Sequence, residues 1–392
     1  MTSSDRIPAP RRIRVLVVDD AAVVRRLVMD ALSSAPELEV VGVAENGRVA
    51  LDRIPVLKPD VIVLDIEMPV MGGLETLVNV RREYPRLPVI VFSSDTRPGA
   101  EATLDALWLG ANDYVTKSRS NSPGEAVRHI HGELVPRIKA LCASAQASAD
   151  AQAARKSEAG AGDRPTSPGA RARARARARG KARPRARVHA VPPPIKIVAI
   201  GASTGGPSAL STIMQGLPAD FPVPIVIVQH MPPLFTRFLA ERLTARSNMP
   251  VEEARAGDVL HSGRAWIAPG DWHMTLERNG SEVMVRLDQG PPVNSCRPSV
   301  DTLFHSVADV YGACALGVVL TGMGHDGLSG SERLAWSRGQ VVVQDEKSSV
   351  VWGMPGAIAR QGIADMVLPI GEIAAEILRR VHWGATRRPK AA

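Results

Sequence analysis

Three apolar stretches of this chain each run into a residue type that acyl-transfer chemistry uses. Residues 195–201 lead to Ser203, residues 224–229 to His230, and residues 315–320 to the segment TGMGHDG, which contains Asp326. A hydroxyl nucleophile, an imidazole that takes its proton and a carboxylate that fixes the imidazole tautomer form a catalytic triad, defined by those roles and not by chain order. The serine lies in IGASTGG, where Gly201 ends the apolar run and Gly205, Gly206 and Pro207 open a helical pattern from Ser208 to Leu217. A strand-to-helix turn of this kind exposes a hydroxyl beside N–H groups that can bind an oxyanion. The same turn is also the shape of a phosphate or dinucleotide cradle, which would need neither His230 nor Asp326. Thr204 is placed to support the turn or the imidazole. His261, His273 and His305 are alternative bases, but none follows a buried parallel-type strand as His230 does. Ser208 and Ser211 read as capping or solvent hydroxyls within the helix, and Met231 and Met323 as packing beside the site loops.

A second set of polar residues stands at strand ends near the N-terminus. Asp19 and Asp20 close VLVVDD, Asp65 follows VIVL, Ser93 follows VIVF and Lys117 follows the segment 112–116. Three carboxylates at neighbouring strand ends repel unless a cation lies among them, and oxygen ligands with room for water suit Mg²⁺. A carboxylate beside Mg²⁺ can attack a phosphoryl group, and Lys117 can pair with the phosphate so formed.

Both sets require strands whose ends gather at one edge. Residues 13–18, 39–44, 61–64, 89–92 and 112–116 are short, apolar and rich in β-branched side chains, alternating with helical stretches such as 22–33 at roughly 20-residue spacing. That rhythm is the signature of a doubly wound parallel sheet, whose sites collect outside the carboxyl ends of its strands. The C-terminal region repeats it, with further strands at 265–268, 283–287 and 341–344. A helix is expected from Val300, with Ser299 as its cap and Val300, Leu303, Phe304, Val307 and Val310 as its apolar face.

The chain has 392 residues, 45% of them apolar, and a net charge of +8. Residues 151–191 hold twelve Lys or Arg against two Asp or Glu, more than the whole excess, so the rest of the chain is slightly acidic. Residues 143–194, including RARARARARGKARPRAR, have almost nothing to bury and are expected to form a disordered linker. The segment reads either as a solvated spacer or as an electrostatic contact for nucleic acid, anionic lipid or an acidic receptor tail; no recognition-helix signature accompanies it, which disfavours a nucleic-acid partner. No signal peptide or membrane span is apparent, so no membrane insertion and a cytoplasmic location are expected. Cys142, Cys296 and Cys314 are too scattered for a metal knuckle or disulfide framework and read as free thiols.

The segment from Arg12 to about Arg119 resembles a response-regulator receiver domain. The resemblance makes Asp65 the phosphorylated aspartate, Asp19 and Asp20 the acidic pair, Ser93 the switch hydroxyl, Tyr114 the rotating aromatic and Lys117 the conserved-type lysine. It adds the backbone carbonyl of Glu67 to the Mg²⁺ ligands. The usual Lys-Pro pair is here Lys117-Ser118, so the cis peptide that would follow the lysine is not expected. GASTGGPSAL, VQHMPPLFT, RPSVDTLFHSVA, LTGMGHDG and QDEKSSVVWGMPGAI, in that order, resemble the chemotaxis-type protein-glutamate methylesterases of the CheB family. This second resemblance implies Ser203 as nucleophile, His230 as base, Asp326 as the group orienting the base, and the backbone N–H of Met323 in the oxyanion hole. His325, beside Asp326, is expected to face solvent. The organisation expected is therefore a receiver over residues 12–135, a linker over 143–194 and a methylesterase over 195–382, two doubly wound α/β domains. The implied activity is phosphorylation-activated hydrolysis of glutamate methyl esters on chemoreceptors, with deamidation of glutamine through the same acyl-enzyme. A histidine kinase is the implied phosphodonor, and no cofactor is expected for the ester hydrolysis.

Overall fold

The computed structural model describes residues 11–94, 96–117, 122–160 and 193–385. Its first half is built on strands Ile13–Val18 (β1), Leu38–Ala44 (β2), Val61–Leu64 (β3), Val89–Ser93 (β4) and Asp113–Thr116 (β5). They pair in the order β2-β1-β3-β4-β5, all parallel. Helices Ala22–Ser33 (α1), Gly47–Leu57 (α2), Gly73–Glu83 (α3), Arg97–Trp108 (α4) and Pro123–Gly160 (α5) complete it. Every residue of β3 is buried because alternate side chains face opposite layers: Ile62 and Leu64 join Leu77 and Leu104, while Val61 and Val63 join Val28 and Leu134.

The second half contains a seven-stranded sheet in the order β14-β13-β12-β6-β7-β9-β8, again all parallel. Its strands are Ile197–Ala202 (β6), Ile225–Gln229 (β7), Val251–Glu253 (β8), Ala265–Ile267 (β9), Ala315–Val319 (β12), Gln340–Gln344 (β13) and Met366–Leu368 (β14). The helices are Gly206–Gln215 (α6), Phe235–Arg246 (α7), Val300–Tyr311 (α8), Leu328–Trp336 (α9), Met354–Arg360 (α10) and Ile370–Ala385 (α11). From β6 the chain builds one side of the sheet through β7 and returns to the other through β12. The ends of β6, β7 and β12 are therefore the topological switch point, where the crevice of such a sheet opens.

Two features depart from the sequence reading. His273–Asn279 (β10) and Glu282–Asp288 (β11) form a separate antiparallel ribbon, turning through Gly280 at φ +59°. It lies on α8, with Met274, Leu276, Val283 and Val285 in the same apolar cluster as Leu303 and Val307. The second departure is α5, which continues through Ala143, where the linker was expected to start, as far as Gly160. The extension is rich in alanine, the strongest helix former, which satisfies its backbone without needing a core. Residues 161–192 of the expected linker, including the Arg-rich run, lie outside the described residues, as does Ser118.

The two halves are docked. α4 packs against α6 and α7, Tyr114 of β5 stacks on Phe235 with ring centroids 5.0 Å apart, and Arg242 pairs with Asp105 at 2.6 Å. Arg246 lies over Trp108 at 4.5 Å. The Ser208 hydroxyl, read from sequence as a cap or solvent group, donates to the Leu107 carbonyl at 3.2 Å.

Candidate active site

Ser203 follows β6 in a turn that only small residues permit. Gly205 has φ +76°, and a Cβ there would stand 2.5 Å from Val350; a Cβ on Gly206 would meet Gln229 Oε1 at 1.9 Å. The turn is tied down on both sides: Ser203 N donates to the Thr321 carbonyl at 3.1 Å, and the Ser203 carbonyl accepts from Gly206 N at 2.7 Å and Gln229 Nε2 at 2.9 Å. Buried Gln229, the last residue of β7, thus braces the serine loop, a role the sequence reading missed. Its only sequence signal is an amide ending an otherwise apolar strand.

His230 Nε2 lies 2.8 Å from Asp326 Oδ2. Asp326 is buried and held from every side. Its Oδ2 accepts from Val300 N at 2.7 Å, and its Oδ1 from Ser299 Oγ at 2.8 Å, Asn294 Nδ2 at 3.0 Å and Asp301 N at 3.1 Å. The carboxylate therefore sits on the N-terminus of α8, where free N–H groups favour an anion. Ser299 is the helix cap, as its sequence position suggests, since it also accepts from Thr302 N; that it and Asn294 also hold the triad carboxylate was not foreseen. Burial alone would raise the Asp326 pKa, but its bonds to His230, the Val300 amide and Asn294 outweigh burial and hold it well below the usual carboxylate range. For His230 burial works against the cation, and the bonds to Asp326 and Cys296 overcome it, lifting the imidazole to about 9.

The serine and the imidazole are not yet engaged. Among the described residues His230 Nδ1 meets Cys296 Sγ, at 3.5 Å, and no hydrogen bond joins it to Ser203 Oγ. Thr204 does not support the imidazole: its hydroxyl donates to Asp113 Oδ2 of the other half at 2.6 Å. Burial pushes the Asp113 carboxyl up, while Arg137 pulls it down. Met323 is half-buried beside the site, and Met231 is packed in the core. His325 and His261 are exposed, His273 is buried against the Pro291 carbonyl, and His305 meets Ser329. None of these four joins the triad. A cleft of about 710 Å³ contains Ser203, His230, Cys296 and Met323, and its other wall is Tyr114, Glu133 and Arg137 of the first half. One domain thus roofs the crevice of the other.

At the end of β1 and β3, Asp19, Asp20 and Asp65 each offer a carboxylate oxygen within 4.8 Å of the others. Lys117 Nζ reaches Asp65 Oδ2 at 2.7 Å and the buried Asp19 Oδ2 at 2.9 Å. Burial raises the Asp65 pKa to about 6; Lys117 opposes the rise and Asp19 adds to it. Three carboxylates around one ammonium keep a net negative charge, and an oxygen-only cluster of that kind fits Mg²⁺. Glu67 is exposed and its carboxylate is not part of the cluster. Ser93 is buried beneath, its hydroxyl donating to the Gly99 carbonyl at 3.2 Å.

Comparison with known proteins identifies both halves. Residues 198–377 match the family described as CheB methylesterase, and residues 15–127 match the response regulator receiver domain. A protein-glutamate methylesterase/protein-glutamine glutaminase of Trichodesmium erythraeum is 47% identical over 371 residues, covering 94% of this chain and 99% of the relative. One of the same description from a Nocardioides species is 43% identical, covering 96% and 97%. The crystal structure of the Thermotoga maritima CheB methylesterase catalytic domain is 42% identical, covering 47% of this chain and 98% of that one, with a TM-score of 0.47.

Proposed function

This chain belongs to the family of protein-glutamate methylesterases that carry a receiver domain, and on that footing we propose that Ser203, His230 and Asp326 hydrolyse glutamate methyl esters on chemoreceptors. The observation that supports this most is the His230–Asp326 bond at the switch point of the sheet, one strand from the serine turn. Ser203 Oγ attacks the ester carbonyl, and His230 takes its proton at Nδ1, since Nε2 is committed to Asp326. The Met323 N–H helps to hold the oxyanion, methanol leaves with the proton, and water then frees the carboxylate. A glutamine side chain follows the same route with ammonia leaving. The reaction needs no cofactor.

Asp19, Asp20, Asp65 and the carbonyl of Glu67 would hold Mg²⁺, which would supply the charge neutralisation that lets Asp65 accept a phosphoryl group. Phosphate on Asp65 draws in Ser93 and Lys117 and re-seats Tyr114, whose ring lies on Phe235, so that the roof loosens from the Ser203 crevice. The phosphodonor is a histidine kinase. Among the described residues no helix is long and apolar enough to cross a membrane, and the proposed workplace is the cytoplasmic face of a receptor.

Methanol release from methylated receptor membranes, with and without a small phosphodonor, tests this reading. Release that the phosphodonor increases is expected; no release under either condition counts against it. In the same assay Asp65→Asn abolishes the stimulation, and mass spectrometry places the added phosphate on Asp65 only when Mg²⁺ is present. Labelling that survives the substitution or excess chelator would sink the assignment. The pH profile carries a sign as well. The base works only when neutral, so a pKa raised to about 9 means that the unphosphorylated chain gains activity as pH rises towards 9. An inflection near the ordinary imidazole value of about 6.5 would contradict it.

A further inference from the structure

We infer that Cys296 and His230 form a site for a thiophilic divalent cation, Zn²⁺ in function and Co²⁺ as its probe, which stops ester hydrolysis by taking the imidazole nitrogen the reaction needs. The cysteine is held by a built turn. Val293 and Cys296 exchange both backbone bonds, at 3.0 and 2.9 Å, across Asn294 at φ +52° and Ser295 at φ +62°. Two consecutive left-handed residues are what a two-residue reversal of the primed type demands. Asn294 Nδ2 then pins that turn to Asp301 at 2.7 Å and to Asp326 at 3.0 Å. The turn and the imidazole are thus fastened to one carboxylate, which sets Sγ against Nδ1.

The separation is the one that zinc requires. Zn–S and Zn–N bonds of about 2.3 and 2.05 Å at a tetrahedral angle put sulfur and nitrogen about 3.6 Å apart; here they are 3.5 Å apart. His230, Cys296 and Asp326 together offer ligand atoms within 4.8 Å of one another. Asp326 on Nε2 fixes the tautomer whose lone pair is on Nδ1, the carboxylate–histidine–metal arrangement of many zinc centres. Thiolate and imidazole select Zn²⁺ over Mg²⁺, so this centre and the acidic cluster around Asp65 do not compete for one ion. On binding, the Cys296 thiol and Nδ1 of the protonated imidazole each lose a proton to solvent, an S–Zn bond forms, the freed Nδ1 lone pair goes to the metal, and water completes the coordination. No electron is transferred. Partly exposed Cys296 lies in the cleft, which gives the ion a way in.

The binding half of this inference stands on geometry, and the inhibitory half rests on the proposed esterase reading. The experiment uses the full, unphosphorylated chain. Co²⁺ should produce a thiolate-to-cobalt charge-transfer band in the near ultraviolet that disappears in Cys296→Ser and persists in Cys142→Ser and Cys314→Ser. In parallel, methanol release is measured with and without Zn²⁺, each variant being compared with itself, and is restored by a chelator. Cys296→Ser should raise the Zn²⁺ concentration for half inhibition by at least about tenfold. A wild-type chain without the band, a band unchanged in Cys296→Ser, or equal Zn²⁺ sensitivity in the two chains overturns the site. A band with the expected cysteine dependence in a chain that releases no methanol even without metal would leave the metal site standing and remove the esterase reading instead.

Discussion

Replacing Ser203 by alanine should lower methanol release by on the order of 10⁴-fold or more, and adding His230→Ala should change little further, because members of one catalytic unit are strongly non-additive. The expectation follows from how the parts are held. The serine turn is braced by Gln229 and Thr321, and Asp326 is fixed by the amides of Val300 and Asp301 together with Ser299 and Asn294. Without its nucleophile this scaffold still positions an imidazole but has nothing for it to activate. Loss of Asp326 should be milder than loss of Ser203, since His230 would remain beside the cleft with its tautomer unfixed. Ser203→Ala is sterically benign, so a folding defect will not mimic the effect. Retention of a tenth of the wild-type rate would remove Ser203 from its role.

A fragment beginning at Pro193 should hydrolyse the same receptor preparation tenfold to a hundredfold faster than the unphosphorylated full chain, an order-of-magnitude range in which each tenfold step is about 1.4 kcal/mol. Two contacts between the halves are of the kind that reach that scale. The Tyr114–Phe235 stack contributes about 0.5–1.5 kcal/mol beyond its buried area, and the buried Thr204–Asp113 bond about 0.5–1.5 kcal/mol. Both act directly at the site, since Thr204 is the neighbour of Ser203 and Tyr114 lines the cleft. The fragment keeps its own sheet and the apolar cluster between α8 and the β10–β11 ribbon. A phosphodonor should accelerate the full chain and leave the fragment unchanged. A fragment with folded-state circular dichroism that is no faster than the unphosphorylated full chain would rule out inhibition by docking.

The helix of the RPSVD segment illustrates how far local pattern reaches. Its start at Val300, its Ser299 cap and the burial of Val300, Leu303, Phe304 and Val307 follow from spacing alone. That its N-terminus would cradle Asp326 does not, because the two are joined by a contact between segments with a strand and a loop between them. Cys296 was similarly read only as a free thiol, which it is. Its distance from His230 depends on a turn whose two left-handed residues, Asn and Ser, are a weak signal next to glycine.

By itself the sequence determined the elements and the chemistry at their ends. Strand burial, helix periodicity and the residue that stops each run are local properties, so Ser203, His230, Asp326, Asp19, Asp65 and Lys117 could be placed at strand ends without knowing the neighbours of any strand. Tertiary structure alone decided which nitrogen of His230 faces Asp326, that Thr204 bonds to Asp113 and not to the imidazole, and that Gln229 braces the serine turn; a fourth point missed from the sequence, that α5 runs on beyond Ala143, is of another kind. The first three depend on pairings between residues 26 to 96 positions apart, and the period of an apolar run carries no information about which distant segment covers it. The fourth is a local propensity of alanine, which a reading guided by the arginines and prolines that follow did not weigh.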